Sequence, residues 1–287
     1  MIADHLSIGW YEDHSGQRKR GGQRRYSDKA ILMCLQIRCL FRLPLRQTQG
    51  FINWIFMMSG MDLTCPDYTT LSIRGKNLCL DSLLDRADEE FDCVCIDSTG
   101  IQTFSGNEWL EDKHGKQYNR RTWKKLHIVT TGDGHILANS MTEHNKDDRS
   151  QVEPLLSGIK SKELLADSGY DGENIYQLVR AKGMKPTIRP PNKPGARNPK
   201  TERQKEVAYQ QERGYHPWRV KNNYGKRERV ENTFYRLKTS FGSQFLSRNE
   251  DNMKNELTIK CHLLSEPPRG KPRGITSALP STSCACS

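Results

Sequence analysis

The sequence contains no long apolar run and no paired cysteine motif. No hydrophobic stretch approaches the ~18–20 residues that cross a bilayer, so we expect no membrane partner. The first residues lack the charged start and apolar core of a signal peptide. The nine cysteines are odd in number and include no pair of C-x-x-C units with zinc-site spacing. These absences predict a reduced, cytosolic protein.

The histidines lack a metal-binding or catalytic pattern. No two of them have H-x-x-H or H-E-x-x-H spacing. Ser98 and Ser168 each follow an aspartate, but no histidine is suggested as the base of a serine nucleophile. We therefore expect the histidines on the surface or in the core, and the two serines as hydrogen-bonding groups at strand ends.

What remains is a basic composition with clustered apolar residues. Hydrophobic residues make up 34% of the chain and the mean hydropathy is -0.80. Because the apolar residues are clustered, we expect folded cores with polar margins. Lys and Arg number 45 against 34 Asp and Glu, which gives a formal net charge of +11 and a pI near 9.2. A charge of this sign favours a polyanionic partner.

Changes in composition divide the 287 residues into four regions. They are a basic N-terminal arm (1–27), a helical region (28–88), a larger α/β region (89–264) and a C-terminal tail (265–287). The arm carries Arg18, Lys19 and Arg20 with two further arginines, a pattern that suits either phosphate contact or a solvated leader. The tail lacks apolar periodicity, so we expect it to be disordered.

Helices are predicted in the second region. Ser27 or Asp28 caps the first helix, AILMCLQIRCLF, which ends before Pro44. The second helix is LRQTQGFINWIFMM, with Gly60 as its stop. A short third helix starts within TTLSIRGKNL.

The third of these segments is basic, and we expect Arg74 and Lys76 on its exposed side. Two helices, a turn and a short basic helix are typical of a helix-turn-helix-like DNA reader. Arg74 and Lys76 are therefore predicted DNA contacts. The alternative is an all-helical packing domain that does not contact DNA.

The third region begins with a change of pattern from helical to β-branched. The stretch DCVCIDSTGIQTF predicts the first strand, with Asp97 near its middle. WKKLHIVTT and HILANSMTE follow as strands around Gly132-Asp133-Gly134, a strong hairpin signal. ELLAD predicts a short buried fourth strand that ends at Asp167, and KPTIRP predicts the last strand.

Helices separate the later strands. DDRSQVEPLLSGI is predicted as a helix capped by Asp147 or Asp148, and ENIYQLVRAKG as the next. The order β-β-β-α-β-α-β predicts an α/β fold, a mixed sheet flanked by helices. Residues 190–206 are Pro-rich and basic, so we expect a surface loop there.

The stretch Tyr224–Phe241 has no Pro and no Gly after Gly225. Its apolar residues recur at steps of four, three and four, which predicts one apolar stripe along a helix. These residues are Val230, Phe234, Leu237 and Phe241.

A second, polar stripe is predicted beside the apolar one. At ~100° per residue, Arg227, Glu231 and Lys238 fall close to one line, with Tyr224 near it. One interpretation is an amphipathic helix whose Glu231 simply pairs with Arg227 and Lys238. The other is that Glu231 is a metal ligand that needs further acids from elsewhere in the chain.

Asp97 and Asp167 are the acids that meet this need. In a sheet of the predicted order the first and fourth strands can be neighbours, and a helix packed on the sheet would bring Glu231 to the same point. Carboxylates so close repel one another, and divalent metal removes that cost. Hard oxygen ligands select Mg²⁺ or Mn²⁺, and two such ions ~3.5–4 Å apart can clamp both oxygens of an in-line phosphoryl transfer. Lys238 and Arg227 would then hold phosphates.

These motifs resemble a known family. IDSTG around Asp97, ADSGYDG around Asp167 and Y-x2-R-x3-E-x6-K from Tyr224 onward are similar to the DDE transposases of bacterial insertion sequences, in particular the insertion-sequence-five-like group. RRTWKKLHI and CPDYTTLS are similar to stretches of the same group. The resemblance covers roughly residues 20–264.

The resemblance implies a ribonuclease-H-like catalytic domain with two Mg²⁺ (or Mn²⁺) ions, and this domain would follow the helix-turn-helix-like region predicted above from the helix pattern. Its members bind the terminal inverted repeats of their element, cut at its ends and join a 3′-hydroxyl to target DNA. By motif, Asp97, Asp167 and Glu231 are the catalytic and metal-binding triad. The implied partner is double-stranded DNA, the assembly in the synaptic complex is a homodimer, and the location is the bacterial cytoplasm, with the nucleoid.

The resemblance also implies DNA-contacting positions. Tyr224, Arg227 and Lys238 correspond to the DNA- and phosphate-contacting residues of the signature. Apart from the resemblance, we expect Lys124 to be a further residue that can reach DNA. Two alternatives remain: a remnant that binds DNA without transposing, and a metal-dependent nuclease without strand transfer. Metal-dependent end cleavage separates the first from a transposase, and joining of a pre-cut end separates the second.

Overall fold

The computed structural model describes six ranges of the chain: residues 9–12, 24–80, 83–84, 89–103, 123–192 and 198–265. The basic cluster at residues 18–20 and the predicted tail from residue 266 onward lie outside these ranges. Within them, no helix has both the length and the apolar character needed to span a membrane.

The helices are named α1 to α9 in chain order. They are Asp28–Phe41, Leu45–Met58, Tyr68–Gly75, Val152–Leu155, Glu173–Ala181, Glu202–Arg213, Tyr215–Lys221, Glu228–Phe241 and Glu250–Ser265. Short 3₁₀ turns precede α4, α5 and α8, at Asp148–Gln151, Ser168–Tyr170 and Tyr224–Arg227.

The strands are named β1 to β7. They are Glu90–Phe91, Val94–Gln102, Trp123–Thr131, Ile136–Glu143, Lys160–Ser161, Glu163–Ala166 and Lys185–Ile188. Five of them form a mixed sheet of order β4-β3-β2-β6-β7, in which β2, β3 and β4 are antiparallel and β2, β6 and β7 are parallel. The predicted α/β fold with a mixed sheet is therefore confirmed, and β1 and β5 add a small parallel pair.

Local sequence signals account for several elements. The Ser27 hydroxyl accepts a hydrogen bond from the Ala30 amide and so caps α1, as predicted. The β3–β4 hairpin turns where Gly134 has a φ of 88°, a conformation that favours glycine. The 3₁₀ turn before α4 is capped by Asp147, whose carboxylate accepts from the Arg149 amide.

Two expectations about helix positions need correction. The loop predicted at residues 190–206 ends earlier, because α6 begins at Glu202. Thr201 and Gln204 form a reciprocal capping box there, which satisfies the first amides of the helix. The single helix predicted from Tyr224 is instead a 3₁₀ turn followed by α8 from Glu228, and α7 and α9 are additional helices.

Apolar side chains cover both faces of the sheet. On one face Cys95, Ile101 and Ile128 belong to a larger core that includes residues of α1 to α3, α7, α8 and α9. On the other face Val94 and Ile96 belong to a smaller core with α4 and α5. This arrangement of helices on both sides of the sheet places β2 in the middle of the molecule.

Candidate active site

Two parallel strands, β2 and β6, lie next to each other in the middle of the sheet. Their register ends with Ile96 opposite Ala166, so Asp97, within β2, and Asp167, directly after β6, are the next residues on the two neighbouring strands. The prediction that the first and fourth strands of this region are neighbours is confirmed, and it places the two aspartates side by side.

Backbone amides fix one oxygen of each aspartate. Asp97 Oδ1 accepts a hydrogen bond from the Ser98 amide at 2.9 Å, and Asp167 Oδ1 accepts one from the Gly169 amide at 2.9 Å. A Cβ atom at position 169 would lie only 3.1 Å from Asp167 Oδ1, so glycine suits this close approach. The second oxygen of each carboxylate remains for other partners.

Helix α8 and the turn before it complete the cluster. Val230, Phe234 and Leu237 are buried against the larger core, and the polar stripe beside them contacts the middle of β2 and the residue that follows β6. The polar stripe thereby brings Arg227 and Glu231 to the two aspartates.

One guanidinium contacts all three acids. Arg227 NH2 donates to Asp97 Oδ2 at 2.8 Å and lies 3.9 Å from Asp167 Oδ2. Arg227 NH1 donates to Glu231 Oε1 at 2.9 Å. The arginine side chain is only 16% exposed, whereas that of Glu231 is 60% exposed. The three predicted site acids thus come together around Arg227, with Glu231 on the open side.

The contacts of the polar stripe include the pair of the first interpretation and go beyond it, while metal binding by Glu231 stays a prediction. Glu231 does pair with Arg227, as an amphipathic helix would require, but the same guanidinium reaches across to both aspartates of the sheet. Lys238 does not pair with Glu231; its ammonium donates to Thr99 Oγ1 at 2.7 Å. The contacts therefore extend beyond a simple intrahelical pair.

Burial and charge set the electrostatics of Asp97. The pKa of Asp97 is raised to about 6, chiefly by burial and also by the nearby Asp167 charge, while Arg227 and the Ser98 amide act in the opposite direction. Burial likewise lowers the pKa of Lys238. The site is thus a desolvated place in which negative charge is only partly balanced.

Tyr224 lies beneath the site rather than at its surface. Its side chain is buried, and its hydroxyl donates to the Ala166 carbonyl at 2.9 Å, directly before Asp167. Its ring lies 5.0 Å from that of Trp218. In this placement Tyr224 supports the end of β6, and its predicted contact with DNA stays a prediction.

The other predicted DNA contacts lie away from the acids. Lys124 is on β3, where it forms ion pairs with Glu143 and, at 3.7 Å, with Glu250. Lys76 is exposed directly after α3. Contact of either residue with DNA stays a prediction.

The expectation that Arg74 is exposed is wrong. Its side chain is 12% exposed, because the guanidinium donates to the Tyr26 carbonyl and to the Asp28 carboxylate at the start of α1. Arg74 thus ties α3 to the beginning of α1, and its contact with DNA also stays a prediction.

A second polar cluster lies on the opposite face of the sheet and was not found from the sequence. The buried His127 ring contacts Thr142 Oγ1 through Nε2 at 2.8 Å, and its Nδ1 lies 3.5 Å from Asp148 Oδ1. The Lys125 ammonium lies 3.0 Å from the same Asp148 oxygen. No sequence spacing indicates this cluster, because its residues meet only through strand pairing and the turn before α4.

The donor chemistry of the site suits divalent cations. Among the residues that the structure describes, no three His, Cys, Asp or Glu side chains already form a group that could hold a metal ion. Around Arg227, however, the acids offer carboxylate oxygens, the ligand type preferred by Mg²⁺ and Mn²⁺. One oxygen of each acid lies within 4 Å of the Arg227 guanidinium, at 2.8 Å for Asp97, 3.9 Å for Asp167 and 2.9 Å for Glu231.

Comparisons with known proteins address the chain as a whole. A family model described as a transposase DDE domain matches residues 89–265, and a second model of the same description matches residues 2–106. Among solved structures, the chain is similar to one titled "Cryo-EM structure of piggyBac transposase synaptic complex with hairpin DNA (SNHP)", with 9% identity and a TM-score of 0.43 over 92% of this chain and 69% of that chain. Because the first family model matches more than half of the sequence, the chain belongs to the transposase DDE domain family, whose members are enzymes that act on DNA.

Proposed function

We propose that this DNA transposase binds the terminal inverted repeats of an insertion sequence, cleaves the ends in a metal-dependent reaction and joins the freed 3′-hydroxyl to target DNA. The observation that carries the proposal is the meeting of Asp97, Asp167 and Glu231, from three separate elements, on Arg227. A structural ion pair needs one acid, and three acids on one cation suit a site that receives further positive charge.

We further propose a ribonuclease-H-like fold and membership of the insertion-sequence-five-like group. The strand order β4-β3-β2-β6-β7, with an antiparallel hairpin beside two parallel strands, supports the first. The spacing of Tyr224, Arg227, Glu231 and Lys238 supports the second.

The acids have distinct roles in this proposal. Asp97, Asp167 and Glu231 would hold two Mg²⁺ or Mn²⁺ ions. Such ions, when bound, would activate the attacking oxygen and stabilise charge on the leaving oxygen. Tyr224 keeps the end of β6 in place through its hydrogen bond to the Ala166 carbonyl. Lys238 bonds to Thr99, which is two residues after Asp97 on β2, and would supply a cation for a phosphate oxygen.

The reaction consists of two phosphoryl transfers. In the first, a water oxygen attacks the phosphorus at the end of the element, the bond from phosphorus to the 3′-oxygen breaks, and a 3′-hydroxyl is released. In the second, that hydroxyl attacks a phosphorus of target DNA, so one phosphodiester bond forms as another breaks. The residues around Arg227 would serve both steps at one site.

Duplex DNA is the partner that the charge favours. The net charge of +11 attracts a polyanion, and the helical region 28–88 with Lys76 is the proposed repeat-binding part, with Arg74 and Lys124 as further proposed contacts. Two ends held together would require at least a homodimer. The proposed location is the bacterial cytoplasm, at the nucleoid.

The test is an assay of cleavage and joining on labelled duplexes that carry the element's own terminal repeat. With Mg²⁺ or Mn²⁺ we expect cleavage and joining of a pre-cut end, and with EDTA neither. Asp97→Asn and Glu231→Gln should both abolish the reaction, whereas the matched control Glu228→Gln, one turn earlier on α8, should not.

The other outcomes separate the alternatives. Cleavage that survives both substitutions would contradict the site assignment. Repeat binding without cleavage would identify a DNA-binding remnant, and cleavage without joining would identify a nuclease.

A further inference from the structure

The carboxylate oxygens of the candidate site are not equivalent. One oxygen of Asp97 and one of Asp167 are engaged by the amides of Ser98 and Gly169. The opposite oxygens face Arg227, at 2.8 Å from Asp97 Oδ2 and 3.9 Å from Asp167 Oδ2. The oxygens that could bind a cation are therefore the ones that face the guanidinium.

Arg227 makes these contacts with two separate amino groups. NH2 lies at the two aspartates and NH1 donates to Glu231 Oε1 at 2.9 Å. Its Nε is buried and has no hydrogen-bond partner among the described residues. The forked guanidinium thus spans the acids by its two ends, an arrangement that the single ammonium of lysine cannot reproduce.

The charges in this space do not balance. Asp97, Asp167 and Glu231 carry three negative charges when ionised, and Arg227 supplies one positive charge. Carboxylates this close repel one another, and Arg227 is the cation that the structure places among them. The remaining negative charge attracts a divalent cation to oxygens that the arginine already occupies.

We propose that Arg227 is a built-in counter-ion, which holds the three carboxylates together while no divalent cation is bound and competes with that cation for the same oxygens. The inference rests on the proposed function. A cation that enters displaces the guanidinium from at least one carboxylate. The freed guanidinium then faces the place where a DNA phosphate arrives, so cation binding prepares Arg227 to bind phosphate.

A counter-ion role predicts that removal of Arg227 strengthens cation binding. The test is titration of the DNA-free, full-length protein with Mn²⁺, followed by calorimetry or electron paramagnetic resonance. Arg227→Gln should bind Mn²⁺ about tenfold more tightly or better, since an opposite charge this near shifts a carboxylate equilibrium by roughly one to three powers of ten. In EDTA the same variant should melt at a lower temperature, because its carboxylates repel without a counter-ion.

The matched control is Arg229→Gln. Arg229 lies two residues along the chain and bonds to the Gly132 carbonyl and to Asp133, away from the three acids. Its loss changes the net charge equally, so its Mn²⁺ affinity should stay close to that of the wild type. An Arg227→Gln variant with unchanged or weaker Mn²⁺ binding would overturn the inference.

Two further measurements apply if Arg227→Gln does not fold. Arg227→Lys keeps the charge without the fork and should bind Mn²⁺ with intermediate affinity; an affinity equal to the wild type would contradict the inference. In wild-type protein with ¹⁵N-labelled arginine, the Arg227 guanidinium signals should change when Mg²⁺ binds. Signals that stay unchanged at saturating Mg²⁺ would also contradict it.

Failure of the inference is distinguishable from failure of the proposed function. Wild-type Mn²⁺ binding that is lost in Asp97→Asn but equal in Arg227→Gln would overturn only the counter-ion role. If neither the wild type nor Arg227→Gln binds Mn²⁺, the proposed metal site fails, and the inference fails with it.

Discussion

Two charged clusters in this protein use the same residue types in opposite proportions. In the larger core one carboxylate, Glu256, meets two cations, with Lys260 Nζ at 2.6 Å and Arg38 NH1 at 3.7 Å. Beside the middle of β2 and the end of β6 one cation, Arg227, meets three carboxylates. The first cluster is closed to solvent, and the second is open on the side of Glu231.

The Glu256 carboxylate finds hydrogen-bond donors and counter-charges within the protein. Its two oxygens accept hydrogen bonds from the amides of Leu246 and Ser247 at 2.9 and 2.8 Å. Burial acts to raise the pKa of Glu256, but Lys260 and Arg38 outweigh it and hold that pKa below its ordinary value. The cluster ties α9 to α1 and has no need of an external ion.

The Arg227 cluster differs in the direction of the pKa shift and in its charge balance. Burial raises the pKa of Asp97 to about 6, and the arginine leaves most of the negative charge uncompensated. The ratio of acids to cations therefore separates a cluster that stabilises the fold from one suited to bind an ion. The presence of ion pairs does not separate them, because both clusters contain ion pairs.

The largest expected effect concerns Asp167→Asn. The amide keeps an oxygen for the Gly169 amide, so the free energy of unfolding should change by less than ~0.5 kcal/mol. Cleavage should fall at least about a thousandfold, since metal-ion catalysis supplies several kcal/mol of transition-state stabilisation. Measurements of the cleavage rate and of thermal unfolding test this prediction. A loss of activity smaller than about tenfold would contradict the assignment of Asp167 to a catalytic cluster.

Glu256→Gln should have the opposite effects, a large loss of stability and no loss of cleavage activity. It leaves Lys260 and Arg38 buried without a counter-charge, which should cost about 3 kcal/mol of stability, measured by denaturant unfolding. Cleavage per folded molecule should stay at the wild-type rate. The surface variant Glu153→Gln is the control, expected within ~0.5 kcal/mol; an equally small effect at Glu256 would refute its structural role.

Tyr224→Phe tests whether the Tyr224 hydroxyl supports the structure beneath the Arg227 cluster or contacts DNA. Because the hydroxyl donates to the Ala166 carbonyl inside the protein, its removal should lower stability by about 1 kcal/mol. Repeat-DNA affinity, measured by fluorescence anisotropy, should not change. A weaker DNA affinity at unchanged stability would instead assign the hydroxyl to a phosphate contact.

The smallest expected effect concerns the pH dependence of the stability that Glu256 contributes. The folded-state pKa of Glu256 is depressed below its ordinary value of 4.5, so its contribution to stability is present above pH 4.5 and is lost as the pH falls through the folded pKa. The stability difference between the wild type and Glu256→Gln should therefore shrink in acid. Unfolding curves between pH 7 and pH 3.5 measure it, and a difference that grows in acid would contradict the assignment.

Several elements with local signals were predicted correctly, among them the cap at Ser27 and the Gly132-Asp133-Gly134 hairpin. The order of the strands along the chain also allowed the prediction that the strands of Asp97 and Asp167 can be neighbours. Helix α9 was not predicted, because Glu256 and Lys260 interrupt its apolar period and are buried only as a pair.

The meeting of the three acids was predicted from the sequence, but the contacts that connect them were not. Helical spacing accounts for the bond from Arg227 to Glu231, which are four residues apart. Its reach to both aspartates, and the bond from Lys238 to Thr99, depend on how α8 packs on the sheet. Such contacts between distant elements have no signature in a single stretch of sequence.

The most direct test of the central claim is an anomalous difference map from a crystal of the protein soaked in Mn²⁺. The account predicts Mn²⁺ peaks among the carboxylates of Asp97, Asp167 and Glu231, with the Arg227 guanidinium moved away from at least one of them, and no peak at Glu256. A map without Mn²⁺ at the three acids, in a crystal that holds Mn²⁺ elsewhere, would contradict it.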